Sequence, residues 1–168
     1  MTITMYQASA PRFAHTLKAL SAVLAKADAH CAARKIDPLV LTAARLYPDM
    51  FPLSRQVQIA CDSAKGAVAR LAGVEVPKHE DTEKTFEELR ARIDKTLAFI
   101  ATVKPAQVDG SEAREVVLKL RGNDVTFSGL QYLLGFAWPN FYFHATTAYA
   151  MLRHNGVELG KTDFLGAA

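Results

Sequence analysis

The sequence is poor in cysteine, glycine and proline, and its composition is that of an ordinary compact domain. Only two of its 168 residues are cysteines, and nine glycines and seven prolines are too few for a fibrous or low-complexity protein. Cys31 and Cys61 form no CxxC motif, so we expect buried, reduced thiols. A hydrophobic fraction of 50% excludes intrinsic disorder.

An excess of charge of one sign is also missing. Lys and Arg number 20 and Asp and Glu number 17, which gives a formal net charge of +3. The basic residues are scattered along the chain, whereas nucleic-acid binding proteins gather them on one face. We therefore predict no nucleic-acid partner, and a salt-dependent DNA shift would contradict this.

The longest stretch without Asp, Glu, Lys or Arg, residues 125–152, is long enough for a membrane span. It contains polar or helix-breaking residues that lipid would penalise: Ser128, Gly129, Gln131, Gly135, Pro139, Asn140, His144, Thr146 and Thr147. We predict a buried central helix and no membrane association. The first twenty residues lack the basic and apolar regions of a secretory signal, so we expect a cytoplasmic protein.

Sequence motifs of several enzyme classes are absent. Neither GxGxxG nor GxxxxGK[ST] occurs, and GxSxG and HExxH are missing as well. No Glu-x-x-His pair is present to supply a di-iron carboxylate bundle. Whether the protein is an enzyme is therefore left open.

Apolar residues recur with a spacing of three and four in four long segments, which predicts four helices. These cover residues 10–34, 53–71, 82–104 and 128–154, with Thr82 capping the third and Asn140 recapping the fourth after an interruption at Trp138 and Pro139. Glu88 and Arg92 are expected to pair on an exposed face of the third helix.

Alternating residues from Val116 to Phe127, with a turn at Gly122, Asn123 and Asp124, predict a small hairpin. The prediction is an all-α four-helix bundle with a hairpin insertion before the last helix, forming a single domain over residues 1–168.

Among five histidines, His144 is the candidate for chemistry. His15, His30, His79 and His154 are interpreted as structural or incidental. His144 lies at the edge of the buried face of the last helix, with Asn140 on the same side, so a small polar pocket between helices is predicted. A buried imidazole acts as a metal ligand, a base or a hydrogen-bonded core residue.

Two segments of the sequence resemble a known family. LYPDMFPLSRQVQIACDSAKGAVARLAG (46–73) and PNFYFHATTAYAMLRHNGVELGKTDFLG (139–166) are similar to an uncharacterised bacterial branch of the DinB/YfiT-like superfamily. The resemblance implies a four-helix bundle, frequent homodimers and a divalent metal site between helices. In that superfamily three histidines hold the metal, one from the second helix and two spaced by four on the last.

This sequence departs from the three-histidine pattern. His144 matches one ligand, but Asn140 and Ala148 flank it at a spacing of four, and the second helix has no histidine. A zinc or nickel ion would need substitutes, and Gln56 and Asp62 on the second helix are the candidates. The metal assignment therefore rests on His144 alone.

Two hypotheses follow from these observations. In the first, the protein binds a small molecule or divalent metal with transferase-like activity, by analogy with superfamily members that act on low-molecular-weight thiols. His144 is then ligand or base, while Asn140 and Gln56 orient the substrate. In the alternative, it is a non-enzymatic homodimer with structural or interaction roles, because aromatic residues surround the last helix.

Overall fold

A computed structural model describes residues 2–166 and confirms the four-helix bundle with a hairpin insertion. The helices and strands are α1 (Met5–Ala8), α2 (Ala10–Arg34), α3 (Pro38–Thr42), α4 (Leu53–Ala72), α5 (Phe86–Thr102), α6 (Pro105–Val108), β1 (Glu115–Leu120), β2 (Asn123–Ser128), α7 (Gly129–Tyr132), a π-helical segment (Leu133–Ala137), α8 (Trp138–His154) and α9 (Lys161–Leu165). Within the described residues, no helix has the length and apolar character needed to cross a bilayer.

Helix α4 lies at the centre of the bundle, between α5 on one side and α8 on the other. The apolar stripes predicted from the sequence form the core, which includes fully buried Phe13, Leu24, Val57 and Ile93. The rings of Phe13 and Phe141 meet edge to face at 4.9 Å and join α2 to α8. Each such side chain contributes about 1.5–3 kcal/mol through removal of apolar surface from water.

The beginning of α5 differs from the prediction. Thr85 caps the helix: its hydroxyl accepts from the Glu88 N–H at 3.2 Å, and Glu88 Oε2 accepts from the Thr85 N–H at 3.0 Å. Thr82 is three residues too early. The Thr-x-x-Glu spacing at Thr85 supplies two reciprocal bonds, which the spacing after Thr82 does not.

The predicted break in the last helix is also wrong. Backbone angles stay helical from Gly129 to His154, and Pro139 lies in the first turn of α8. The π-helical segment immediately before it is wider than an α-helix, which gives the proline ring room where it would clash with the preceding turn. Asn140 therefore caps nothing, and its side chain is free to reach α4.

The hairpin is confirmed, with a shorter turn than predicted. Leu120 pairs with Asn123, so the turn consists of Arg121 and Gly122 alone. Both have positive φ, 51° and 86°, as the two-residue turn that follows the twist of a hairpin requires.

Both cysteines are buried and free, as expected. Burial raises the pKa of the Cys61 thiol to about 12, so this thiol stays protonated and unreactive at neutral pH.

Candidate functional site

Four polar side chains meet where α4 packs against α8. Gln56 and Ser63 lie two turns apart on α4, and Asn140 and His144 lie one turn apart on α8. We call these four residues the neutral seam. Its existence follows from helical spacing, because residues three or four apart share a helix face.

The hydrogen bonds around His144 define its tautomer. Its Nδ1 lies 2.7 Å from Gln56 Oε1, while Gln56 Nε2 donates to the Phe51 carbonyl at 3.1 Å. Because the Gln56 amide nitrogen is engaged with Phe51, the oxygen faces the imidazole and Nδ1 must donate. The lone pair of the neutral ring is therefore on Nε2.

The surroundings of His144 favour the neutral imidazole. The residue is 8% exposed, and the Phe143 ring packs edge to face against it at 5.1 Å. Burial lowers the pKa of His144 below its usual value, and the cation of Arg55 lowers it further. Nε2 finds no hydrogen-bond partner among the described residues and still reaches solvent. It is an unused proton acceptor.

Asn140 and Ser63 form the second pair of the neutral seam. The Asn140 amide nitrogen donates to Ser63 Oγ at 2.7 Å. Since the hydroxyl oxygen accepts this bond, the Ser63 O–H proton remains available to a further acceptor. Ser63 was not identified from the sequence. Its spacing of seven residues from Gln56 is the signal that would have found it.

Asp62 lies about 100° from Ser63 around α4 and does not join His144. Its carboxylate binds Lys65 at 2.8 Å and Arg92 at 2.9 Å. Arg92 also binds Asp81 and Glu83, at 2.9 and 3.0 Å. We call these five residues the Arg92 cluster, and it joins α4, α5 and the linker between them.

The expectation of an exposed Glu88–Arg92 pair is wrong. The Arg92 side chain is fully buried, and Glu88 caps α5. Arg92 lies three residues after Leu89, on the buried stripe of α5, and this spacing is the sequence signal for its burial. The charge is tolerated there because three carboxylates surround it.

The residues around His144 do not fit the three-histidine metal site of the superfamily. Among residues 2–166, no group of three or more His, Cys, Asp or Glu side chains is placed to hold a metal ion. The oxygen of Gln56 is engaged by His144 Nδ1, and Asp62 is bound by two cations. One imidazole nitrogen is too few protein ligands for a tight zinc or nickel centre.

The bundle with its hairpin has the fold of a DinB-like helical bundle protein, as the following comparisons show. A family model described as a domain of unknown function, DUF1993, matches residues 5–165, and the chain belongs to that family.

A solved structure shares this fold. The crystal structure of a DinB family member protein from Shewanella denitrificans, at 1.83 Å resolution, has a TM-score of 0.87 and 43% sequence identity, and the match covers 97% of this chain and 92% of that one. Comparison with curated proteins gave no match. The resemblance stated from the sequence is confirmed.

Proposed function

We propose that this protein binds a small polar molecule at the neutral seam and takes a proton from it through His144 Nε2. The observation that supports the proposal is the fixed tautomer: Gln56 holds Nδ1–H and leaves the Nε2 lone pair free at the solvent boundary. A general base needs both a free lone pair and a defined orientation.

The electrostatics suit a base that works at neutral pH. Burial and Arg55 keep the pKa of His144 low, so the imidazole is unprotonated before the ligand arrives. The same two effects disfavour the imidazolium, so a proton taken from a thiol or hydroxyl group is released to the water that Nε2 reaches. Transferase-like chemistry on such a group fits these properties.

Acylation with diethyl pyrocarbonate tests the proposal, because the reagent attacks only the unprotonated imidazole. Peptide mass spectrometry would follow modification of His144 against pH in the folded protein and in the denatured chain. We expect the folded profile, normalised to its plateau, to have the lower midpoint, and low-molecular-weight thiols or alcohols that bind the seam to slow the reaction.

His154 provides the internal control for reagent access, because it is exposed at the end of the same helix. A compound that protects His144 and leaves His154 reactive binds at the seam. Equal midpoints in folded and denatured protein, or a folded His144 that never reacts, would refute the proposal.

Elemental analysis of untagged protein, with His144→Gln beside it, addresses a metal independently. Near-stoichiometric metal that disappears in the variant would replace the proton-acceptor role with that of a ligand.

A second role, homodimer formation, is favoured by one observation. The outward positions of the last helix, from α7 through the π-helical segment into α8, have no charge: Leu130, Gln131, Leu134, Gly135, Pro139, Phe143 and Thr146. Leu130, Leu134 and Phe143 are 43%, 45% and 57% exposed. Exposed apolar patches of this kind are typical of protein contacts. We infer that a second copy packs here, since an uncharged face opposes its own copy without repulsion.

Analytical ultracentrifugation tests the dimer. The wild type should sediment as a dimer and the double variant Leu134→Lys, Phe143→Lys as a monomer. Leu39→Lys, which charges an equally exposed leucine on α3, is the matched control and should stay dimeric. A monomeric wild type would refute the inference.

A further inference from the structure

A cleft of about 420 Å³ lies between β1, α4 and the start of the last helix. We call it the hairpin cleft. Ser63 and Arg70 line it from α4, Lys119 from β1, and Tyr132 and Asn140 from the last helix. It therefore begins at the Asn140 end of the neutral seam, and its volume is in the range of small-molecule sites.

Arg70 is the distinctive group in this cleft. Its guanidinium is partly buried and donates to the Tyr132 hydroxyl at 3.2 Å. Among residues 2–166, no carboxylate lies within ion-pair distance of it, in contrast to Arg55 and Arg92. Burial raises the pKa of Tyr132, so the partner of the guanidinium is a neutral phenol. The positive charge of Arg70 is uncompensated.

The backbone makes room for this guanidinium. A Cβ added at Gly66, one turn earlier on α4, would lie 2.5 Å from Arg70 Nη1. Glycine inside a helix costs about 1 kcal/mol relative to alanine. At Gly66 it allows the arginine side chain to lie back along the helix and face Tyr132.

The remaining polar groups of the cleft also favour a negative ligand. Ser63 has an O–H donor without an acceptor among the described residues, and the exposed Lys119 lines the cleft from β1. Asp62 borders the cleft, but its carboxylate is bound to Lys65 and Arg92. Phe136 and Ile59 supply apolar walls. Donors at one end and apolar walls around them match an anionic group on an apolar body.

We propose that the hairpin cleft binds a small organic acid, whose oxyanion group is held by Arg70 and Ser63 and whose apolar body lies against Phe136. The planar guanidinium suits the two oxygens of a carboxylate or phosphate. This inference rests on the proposed function in one respect. The molecule that binds at the neutral seam is the one whose acid group lies in the hairpin cleft, on the other side of Asn140 from His144.

Amide NMR titration with benzoate, phenyl phosphate and neutral benzamide tests this inference. We expect benzoate or phenyl phosphate to shift the amides of Ser63, Lys119 and Phe136, with benzamide binding about tenfold more weakly or worse. The tighter of the two anions identifies the oxyanion as carboxylate or phosphate.

Two variants assign the binding to Arg70. Arg70→Gln should lower the affinity for the anion about tenfold. Arg90→Gln, which removes an exposed arginine of α5, should leave that affinity unchanged. Gly66→Ala displaces the Arg70 guanidinium without loss of helix propensity. It should therefore lower the affinity for the anion, while the melting temperature stays the same or rises.

Absence of shifts in the cleft with both anions, or wild-type affinity in Arg70→Gln, would overturn the inference. The acylation profile of His144 is measured without any anion. If His144 passes that test and the cleft binds no anion, only this inference fails. If His144 fails and the cleft binds, only the proton-acceptor role fails.

Discussion

The two sides of α4 solve the burial of polar groups in opposite ways. Toward α5, the Arg92 cluster joins two cations and three carboxylates, with Arg92 fully buried. Toward α8, the neutral seam uses an imidazole, two amides and a hydroxyl. Buried full charges need counter-charges, which Asp62, Asp81 and Glu83 supply to Arg92 although its Nε–H has no partner among the described residues. Neutral groups at the solvent boundary need no counter-charge.

The difference separates a structural role from a chemical one. Most of the charged groups in the Arg92 cluster are bound to one another, and the cluster fixes the 74–84 linker against α4 and α5. Among the residues that the structure describes, Nε2 of His144 has no hydrogen-bond donor and the hydroxyl proton of Ser63 has no acceptor. These two groups can therefore form hydrogen bonds with a bound ligand.

The largest effect is expected from Arg92→Met, which breaks the charged side. It leaves Asp62, Asp81 and Glu83 close together without the guanidinium, and loss of one partner from a buried ion pair costs about 3 kcal/mol or more. Urea denaturation measures the free energy of unfolding. Arg90→Met, the exposed neighbour on α5, should change it by less than about 0.5 kcal/mol. Equal effects of the two variants would show that the cluster is not structural.

On the neutral side, Gln56→Leu should lower the free energy of unfolding by about 1–3 kcal/mol. The leucine has a similar volume but leaves the His144 Nδ1–H and the Phe51 carbonyl unpaired.

Gln56→Glu keeps an acceptor and brings a negative charge to the seam, so NMR titration should give a higher pKa for His144 than in the wild type. An unchanged pKa would place Gln56 away from the imidazole in solution.

The pH dependence of stability should come partly from this seam. The folded pKa of His144 is below the unfolded value near 6.5, so the unfolded chain binds more protons and stability is lost as pH falls from 6.5 through the folded pKa. Urea midpoints between pH 7 and 5 measure the slope, and His144→Gln should have the shallower one. An identical slope would contradict a neutral buried imidazole.

The smallest effect is expected from Ser63→Ala, at less than about 0.5 kcal/mol. Asn140 is only partly buried and borders the hairpin cleft, so water replaces the lost hydroxyl, and alanine improves helix propensity. A loss as large as that of Gln56→Leu would mean that the Ser63–Asn140 pair is sealed from solvent.

The sequence predicts the helices well because their signals are local. The apolar stripe from Phe13 to Cys31 and the terminator Gly73 need only neighbouring residues, and both are confirmed. The start of α5 was missed although Thr85 and Glu88 show the capping spacing. The continuous last helix was missed because a π-helical segment has no strong sequence signature.

The candidate site was predicted in part. Helical spacing placed His144 and Asn140 on one side of α8, and Gln56 was a candidate on α4. The structure bonds Gln56 directly to the imidazole and adds Ser63. The role of Asp62 depends on Arg92, thirty residues later, and burial of that arginine depends on a linker whose path no periodicity describes. A single sequence carries no direct signal for contacts between distant segments.

The π-helical segment has a consequence for the rotation of the last helix about its own axis. A turn of the π-helical segment holds one residue more than an α-helical turn, because its hydrogen bonds span five residues where those of an α-helix span four. Compared with a continuous α-helix, this extra residue rotates everything upstream by about 100° relative to α8. Deleting Gly135 should reverse that rotation and turn Tyr132, with the hairpin behind it, away from Arg70. The hairpin cleft therefore depends on the number of residues in the π-helical segment, because that number sets the rotation of Tyr132 relative to α8.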